Sequence, residues 1–299
     1  MKKKKIKINL ALGSGAARGL AHIGVLRALI DNDICIGALS GTSMGAIVSA
    51  FFAKYGSIGE IEEIAINITK KDTVKLLDLN LSGIYKGIFK GKKIYNFLKK
   101  YLGDVTFSQL KHPLQLCATD VFTGMYKIFE NGKVLDAVMA SISIPGVFPP
   151  YKVGDYYYID GGISLPVPVK PLKDSCKEKV VAVNVIHKPS SRNRILMRMN
   201  KKNEKRKRFY EILELFSDIY GLDIPKNYKA PSIVGVLLQA FYTMEYTLAS
   251  LNVKDADLAI NLDLGTTNLY EFYNAKKIIE FGYEEAVLFI NNNKLFFAP

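Results

Sequence analysis

Ser43 stands in Gly41-Thr42-Ser43-Met44-Gly45, a G-x-S-x-G pattern. It follows a short apolar run, Ile34–Leu39, and opens a stretch rich in Ala, Ile, Val and Phe. A serine at a sharp strand-to-helix turn is the arrangement that presents a hydroxyl as a nucleophile. The two glycines answer a steric demand, because the turn strains the serine backbone and neighbouring Cβ atoms would clash. The helix that starts there also points its positive end at any oxyanion formed beside Ser43. The same five residues read equally well as a tight turn and nothing more, so the chemistry depends on what the rest of the chain supplies.

Serine is a weak nucleophile at neutral pH and needs a base. The chain has three histidines. His22 lies within the apolar pattern of the first long helix and reads as structural. His112 precedes Pro113 in a polar turn and reads as exposed. His187, at the end of an apolar run, is the one histidine placed for a triad. Asp160, followed by Gly161 and Gly162, is a better candidate. A carboxylate at a strand end, with no side chains crowding it, can approach a serine hydroxyl and accept its proton. Partial burial would raise its pKa and make it a better base. Asp-Gly-Gly is also an ordinary turn sequence.

A third stretch, Gly13-Ser14-Gly15-Ala16-Ala17-Arg18-Gly19, follows the β-rich run Ile6–Leu12. Its backbone N–H groups suit either a phosphate or the oxyanion of a tetrahedral acyl intermediate. The dinucleotide fingerprint G-x-G-x-x-G is missed by one residue between Gly15 and Gly19, and the next strand ends in Ser43 rather than a ribose-binding acid.

These stretches need elements to hold them. Strand Ile6–Leu12, a helix with Leu20, Ile23, Leu26 and Ile30 on one face, a second strand from the run Ile34–Leu39 to the Ser43 turn and the helix after Ser43 make a β-α-β-α start. That is the beginning of a parallel sheet with helices on its faces. Further helices are predicted over Ile58–Ile68, Ile94–Leu102 and Leu135–Ser141, and further strands over Leu114–Thr119, Met125–Glu130, Tyr156–Ile159, Val180–Val185 and Leu258–Leu262. Lys70–Lys93 has no firm period and reads as a flap. Phe209–Tyr220 is amphipathic, the apolar run Ser232–Val253, broken by Gln239 and Glu245, holds a long helix over Ser232–Leu251, and a helix over Asn274–Asn291 closes the chain. Each of the three chemical stretches follows a predicted strand, at the sheet edge where open α/β folds bind ligands.

With 299 residues, 49% of them hydrophobic, the chain can bury a large core. No segment reads as a membrane span. Cys35, Cys117 and Cys176 show neither disulfide nor metal-ligand spacing, so packing roles and a reducing, cytoplasmic setting are expected. Met1–Lys5 imitates the basic start of a signal peptide, but Ile6–Leu12 is short, contains Lys7 and Asn9, and lacks a cleavage site. The formal charge is +13, and Lys188–Arg208 carries +9 of it. Such a run is a solvated arm or a contact for anionic membrane. Without an aromatic residue for base stacking, it does not suit nucleic acid. The expected organisation is a single domain over residues 1–299 with a basic insertion near 188–229. The oligomeric state is left open.

Four stretches together resemble the patatin-like phospholipase family, in particular its compact bacterial members. They are GSGAARGLAHIGVL at Gly13–Leu26, GTSMGAIVSAFFA at Gly41–Ala53, ASISIPGVFPP at Ala140–Pro150 and DGGISLPVPV at Asp160–Val169. The resemblance implies a three-layer α/β/α fold with a mostly parallel central sheet. It implies a Ser-Asp dyad of Ser43 and Asp160, a nucleophile elbow at Gly41 and Gly45, and a second motif at Gly161 and Gly162. The loop of Gly13, Ser14, Gly15, Ala16 and Arg18 maps onto the oxyanion hole, with Arg18 at the family's basic position. One departure stands out, because Ser14 and Ala16 occupy positions where the family loop is richer in glycine.

The leading expectation is a serine acyl hydrolase, of the lipid esterase or phospholipase A type, that cleaves fatty acyl esters without metal or cofactor. The alternative is a membrane-surface lipid-binding protein with little or no hydrolysis, whose basic run matters more than its serine.

Overall fold

Runs of aliphatic residues build the centre of the sheet. Strands β1 (Lys7–Leu12), β2 (Cys35–Thr42) and β7 (Val180–Asn184) are buried along nearly their whole length. Continuous burial, rather than alternation, marks parallel strands covered on both faces. The computed structural model describes residues 6–76, 78, 89–186, 188, 233–265, 267 and 271–297. Among these the strand order is β5-β6-β3-β2-β1-β7-β8, with β4 on the free edge of β3. Strands β3 (Leu114–Asp120), β2, β1, β7 and β8 (Leu258–Asn261) run parallel. Strands β4 (Tyr126–Phe129), β5 (Tyr151–Val153) and β6 (Tyr156–Asp160) join through antiparallel pairings.

The layers follow from the alternation of side chains along β2. On one face, a Cβ at Gly41 would meet the backbone of Gly45 and Ala46, the first turn of helix α2 (Met44–Tyr55). On the other face, Ser40 and Thr42 donate hydrogen bonds to the carbonyls of Pro168 and Leu165, in the segment leading into helix α7 (Val169–Ser175). Helices therefore cover both faces, and the fold is a three-layer α/β/α arrangement with a mostly parallel sheet.

Helix α1 (Ala21–Asp31) leans on the closing helix α9 (Ala275–Asn292). Their backbones approach so closely that a Cβ at Gly24 would lie 2.0 Å from the Ile279 carbonyl, and one at Gly282 would lie 2.3 Å from that of Ala21. Arg27 binds the pair together, reaching Glu62 of α3 (Gly59–Ile66) and Glu280 of α9 at 2.7 Å each. The remaining helices are α4 (Lys70–Leu76), α5 (Lys92–Leu102), α6 (Val134–Ser141) and α8 (Ile233–Asn252).

The chain divides into two compact units, Met1–His187 with Glu245–Pro299, and Lys188–Met244. Everything described above except the start of α8 belongs to the first. In the second, the described residues are Lys188 and the part of α8 up to Met244. The amphipathic stretch Phe209–Tyr220, most of the basic run, the middle of the Lys70–Lys93 flap and His187 lie outside the described residues.

Two expectations need correction. The start of the flap is the helix α4, too short to display a readable period. Cys117 is buried in β3 as a packing residue should be, but Cys35 is exposed at the start of β2. Among the described residues, no helix is long and apolar enough to cross a membrane.

Candidate active site

The register of β3 brings Ser43 and Asp160 together. Ala118 pairs with Lys127 of β4 on one edge and with Asp160 of β6 on the other. That second edge is also the one that β2 occupies, and there Thr42 pairs with Cys117. Strand β2 and strand β6 thus meet end to end against consecutive residues of β3. The residue after Thr42 is Ser43, and its Oγ donates a 2.6 Å hydrogen bond to Oδ2 of Asp160. Residues 117 apart in sequence are joined by one strand's pairing pattern.

Ser43 has φ of +54°, a left-handed conformation that a non-glycine residue adopts at a cost. Its surroundings hold it there. The Ser43 N–H donates to Oγ of Ser141 at 2.9 Å, and the Ser141 hydroxyl donates to the Cys117 carbonyl at 2.6 Å. Two residues on, the Ser143 carbonyl accepts the Asp160 N–H at 2.9 Å. The end of α6 therefore clamps both members of the pair. Sequence reasoning placed this stretch in a motif but gave Ser141 and Ser143 no function.

The glycines beside the pair make room for backbone. A Cβ at Gly45 would lie 2.1 Å from the Leu12 carbonyl oxygen, and one at Gly161 would lie 2.4 Å from that of Cys117. Gly162 donates its N–H to Asp160 Oδ1 at 2.7 Å. Asp160 is 1% exposed, and burial pushes its carboxyl up to about 6, against the Ser43 and Gly162 hydrogen bonds that favour the charged form.

The Gly13–Gly19 loop borders the same place. The Gly13 carbonyl lies against Gly45, a Cβ at Gly19 would strike the side chain of Met44, and the Ser14 hydroxyl lies beside Gly162. The N–H groups of this loop are not equivalent. Those of Gly13 and Ser14 donate to the carbonyls of Val183 and Pro166 at 2.9 and 2.8 Å. Those of Gly15 and Ala16 have no acceptor among the described residues. Ala16 has φ of +48°, where a glycine would be unstrained, so the departure from a glycine-rich loop carries a conformational cost.

His22 is buried, as a structural histidine should be, but it acts on this loop. Its Nε2 lies 2.7 Å from the Gly13 carbonyl, which can only accept, so Nε2 carries the proton. Burial lowers the imidazole to about 4, keeping it neutral. Arg18, also buried, sits in the 3-10 turn Ala16–Leu20 and donates from Nε to the Thr267 carbonyl at 3.0 Å, fixing the far side of the loop. His112 is half-buried rather than exposed, stacked on Phe52.

The clamp makes a prediction. Ser141→Ala leaves the Ser43 N–H without its acceptor and the Cys117 carbonyl without its donor, at about 1–3 kcal/mol for a buried polar group left unpaired. Chemical denaturation should record that loss, and acyl-ester turnover should fall with it. Wild-type stability and turnover together would show that Ser141 does not hold the elbow.

The fold and this pair define an α/β/α protein with a serine and a carboxylate meeting at the C-terminal edge of its parallel strands. The sequence profile of the patatin-like phospholipases matches residues 10–173, more than half of the chain, and the chain belongs to that family. An uncharacterized NTE family protein of Mycobacterium tuberculosis is 37% identical over 179 residues, 60% of this chain and 49% of that one. Neuropathy target esterase sws of Drosophila melanogaster is 30% identical over 184 residues, 60% of this chain and 13% of that one. The match thus spans about half the length of the mycobacterial relative and a small part of the insect one. Among solved structures, VipD from Legionella pneumophila overlaps 96% of this chain and 67% of its own, with a TM-score of 0.49 and 13% identity.

Proposed function

We propose that the protein is a serine hydrolase of lipid acyl esters, of the phospholipase A or lipid esterase type. The observation that carries this reading is the 2.6 Å hydrogen bond from a strained Ser43 to a buried Asp160. Family membership and an esterase among the relatives support it.

In the proposed reaction Ser43 Oγ attacks the ester carbonyl carbon as its proton passes to Asp160. The carbonyl oxygen becomes an oxyanion and is held by the N–H groups of Gly15 and Ala16, which have no acceptor among the described residues. Collapse expels the alcohol, which takes the proton from Asp160, and leaves an acyl group on Ser43. Water then attacks the acyl carbon, giving its proton to Asp160, and the fatty acid leaves as the proton returns to Ser43. His22 and Arg18 hold the loop and take no part in proton transfer.

We assign the acyl chain to a neighbouring cleft. A cleft of about 270 Å³ is lined by Tyr95, Met139, Ile142 and Phe148, with Lys90 and Lys92 beside them. Ser143 is part of its wall and is one hydrogen bond from Asp160. An apolar interior with basic groups suits a fatty chain bearing an anionic head group.

The test is a panel of phospholipids, lysophospholipids, monoacylglycerols and acyl thioesters, with fluorophosphonate labelling alongside. Wild-type protein should hydrolyse at least one class and take up label, and Ser43→Ala should do neither. Because Asp160 acts only when ionised, the rate should rise about tenfold per pH unit below about 6 and level off toward neutral pH. Hydrolysis that survives Ser43→Ala, or no hydrolysis by the wild type across the panel, rejects this function.

A further inference from the structure

Glu245 is a buried acid, the one charged residue of helix α8, and the mechanism above does not use it. Its side chain is only 6% exposed, and it comes from α8, far in sequence from every motif residue. A methyl group placed on Gly162 would lie 2.6 Å from Glu245 Oε1, 3.1 Å from Asp160 Oδ1 and 3.2 Å from Ser14 Oγ. Three polar side chains therefore converge on one glycine, and the two carboxyl oxygens lie no more than about 6 Å apart. By the same measure Glu245 Oε1 and the Ser14 hydroxyl lie no more than about 6 Å apart, which sets Glu245 against the loop that contains Gly15 and Ala16.

We propose that Glu245 is a positioning residue of the hydrolase, packed between the Ser14 loop and the Asp160–Gly162 turn so that it holds the two together. This rests on the hydrolase reading. The tie matters because the Ser14 N–H is already fixed on Pro166, so the Glu245 contact anchors the loop at a second point just before Gly15. Neutrality matters because an ionised Glu245 would place a second negative charge beside Asp160 and near the oxyanion.

Among the described residues, the charged groups facing Glu245 are Asp160 and Arg18. Burial is the largest influence and disfavours the ion. The Asp160 charge acts the same way, while Ser14 and Arg18 oppose both, and the net effect is a carboxyl pushed up to about 8. Asp160 is thus ionised across a pH range in which Glu245 still holds its proton.

Three variants test this. The wild-type rate should decline through about pH 8 as Glu245 ionises. Glu245→Gln is neutral at every pH and of similar shape, so it should keep most of the neutral-pH rate and lose that decline. Ser14→Ala removes a contact that favours the ionised form, so it should move the decline to higher pH. Glu245→Ala removes the tie, and kcat should fall by about 10- to 100-fold with little change in KM, the scale of a small misplacement of reacting groups.

A second measurement does not depend on hydrolysis. A carboxyl whose pKa is raised on folding contributes stability below its ordinary range, and loses that contribution as pH rises through its folded-state value. The Tm of Glu245→Gln relative to wild type should therefore climb between about pH 5 and about pH 8. A decline that persists in Glu245→Gln overturns the proposal, and so does a Tm difference that stays flat with pH. If wild-type protein hydrolyses nothing, the hydrolase reading fails. The Tm series then decides the remainder, since a climbing difference upholds the neutral acid and a flat one rejects it.

Discussion

Asp160→Asn should lower acyl-ester turnover by roughly 10²–10⁴-fold, the range for losing a general base. Asparagine keeps the shape of aspartate and can still accept the Ser43 hydrogen bond, so the fold should survive. What it cannot do is take the proton as Oγ attacks. The increase in rate through about pH 6 should vanish with the carboxyl that causes it. Ser43→Ala should abolish turnover, and adding Asp160→Asn to it should change nothing further, because groups that act as a unit do not contribute independently. His22→Ala gives a contrast. It loosens the Gly13 carbonyl and slows turnover, yet leaves the acid limb where it was, since the proposed reaction gives His22 no proton to accept. Loss of activity in a well-folded His187→Ala equal to that of Ser43→Ala would replace the dyad with a triad.

Gly45→Ala should be as damaging to activity by a different route. The added methyl would sit 2.1 Å from the Leu12 carbonyl oxygen and 2.7 Å from that of Gly13. Both obstacles are backbone, so no side chain can rotate away. The first turn of α2 must move off the end of β1, and Ser43 moves with it. Overpacking of this kind costs about 1–3 kcal/mol of stability. A shift near 1 Å at the nucleophile costs on the order of 10²-fold in rate, so the activity loss should exceed what partial unfolding explains. Gly59→Ala is the matched control, because a Cβ there meets nothing within 4 Å at the start of α3. It should leave turnover intact and raise stability by about 0.5–1 kcal/mol. If Gly45→Ala behaves like Gly59→Ala, the close approach at the elbow is not what fixes Ser43.

The catalytic candidates were readable because their chemistry is local. A serine between two glycines after an apolar run, and an aspartate before two glycines, each announce a turn with a purpose. The sheet's parallel half was readable for the same reason, since unbroken aliphatic runs such as Val180–Val185 fit few other roles. What escaped was whatever depends on a distant partner. Ser141 looks like any small residue at a helix end until β3 brings the Cys117 carbonyl under it. Glu245 interrupts an apolar helix, and in sequence that break looks like a patch of surface. Only the folded chain turns it toward Ser14 and Gly162. His22 was readable as structural from its apolar neighbours, but not its grip on Gly13. Strand β5, three residues long with no buried member, offered no alternation to detect. Helix α7 is barely two turns and contains a proline, and its sequence resembles a loop.

The contact between α1 and α9 also bears on the order in which the molecule can be assembled. Strand β1 and helix α1 pair with elements that are made much later than themselves. Asn9 pairs beside Val180, and Ala21 meets Gly282. Local turns such as the serine elbow can form early, but pairings this distant in sequence close large loops and slow folding. Until residues near Ile279 have emerged, the face of α1 that they cover has no neighbour. The loop between β1 and α1 is hung from both, so it too waits on α9. A growing chain therefore carries Ser43 on an unfinished sheet, with apolar surface in need of shelter, until β7 and α9 have been made, and the Gly13–Gly19 loop settles only as α9 docks.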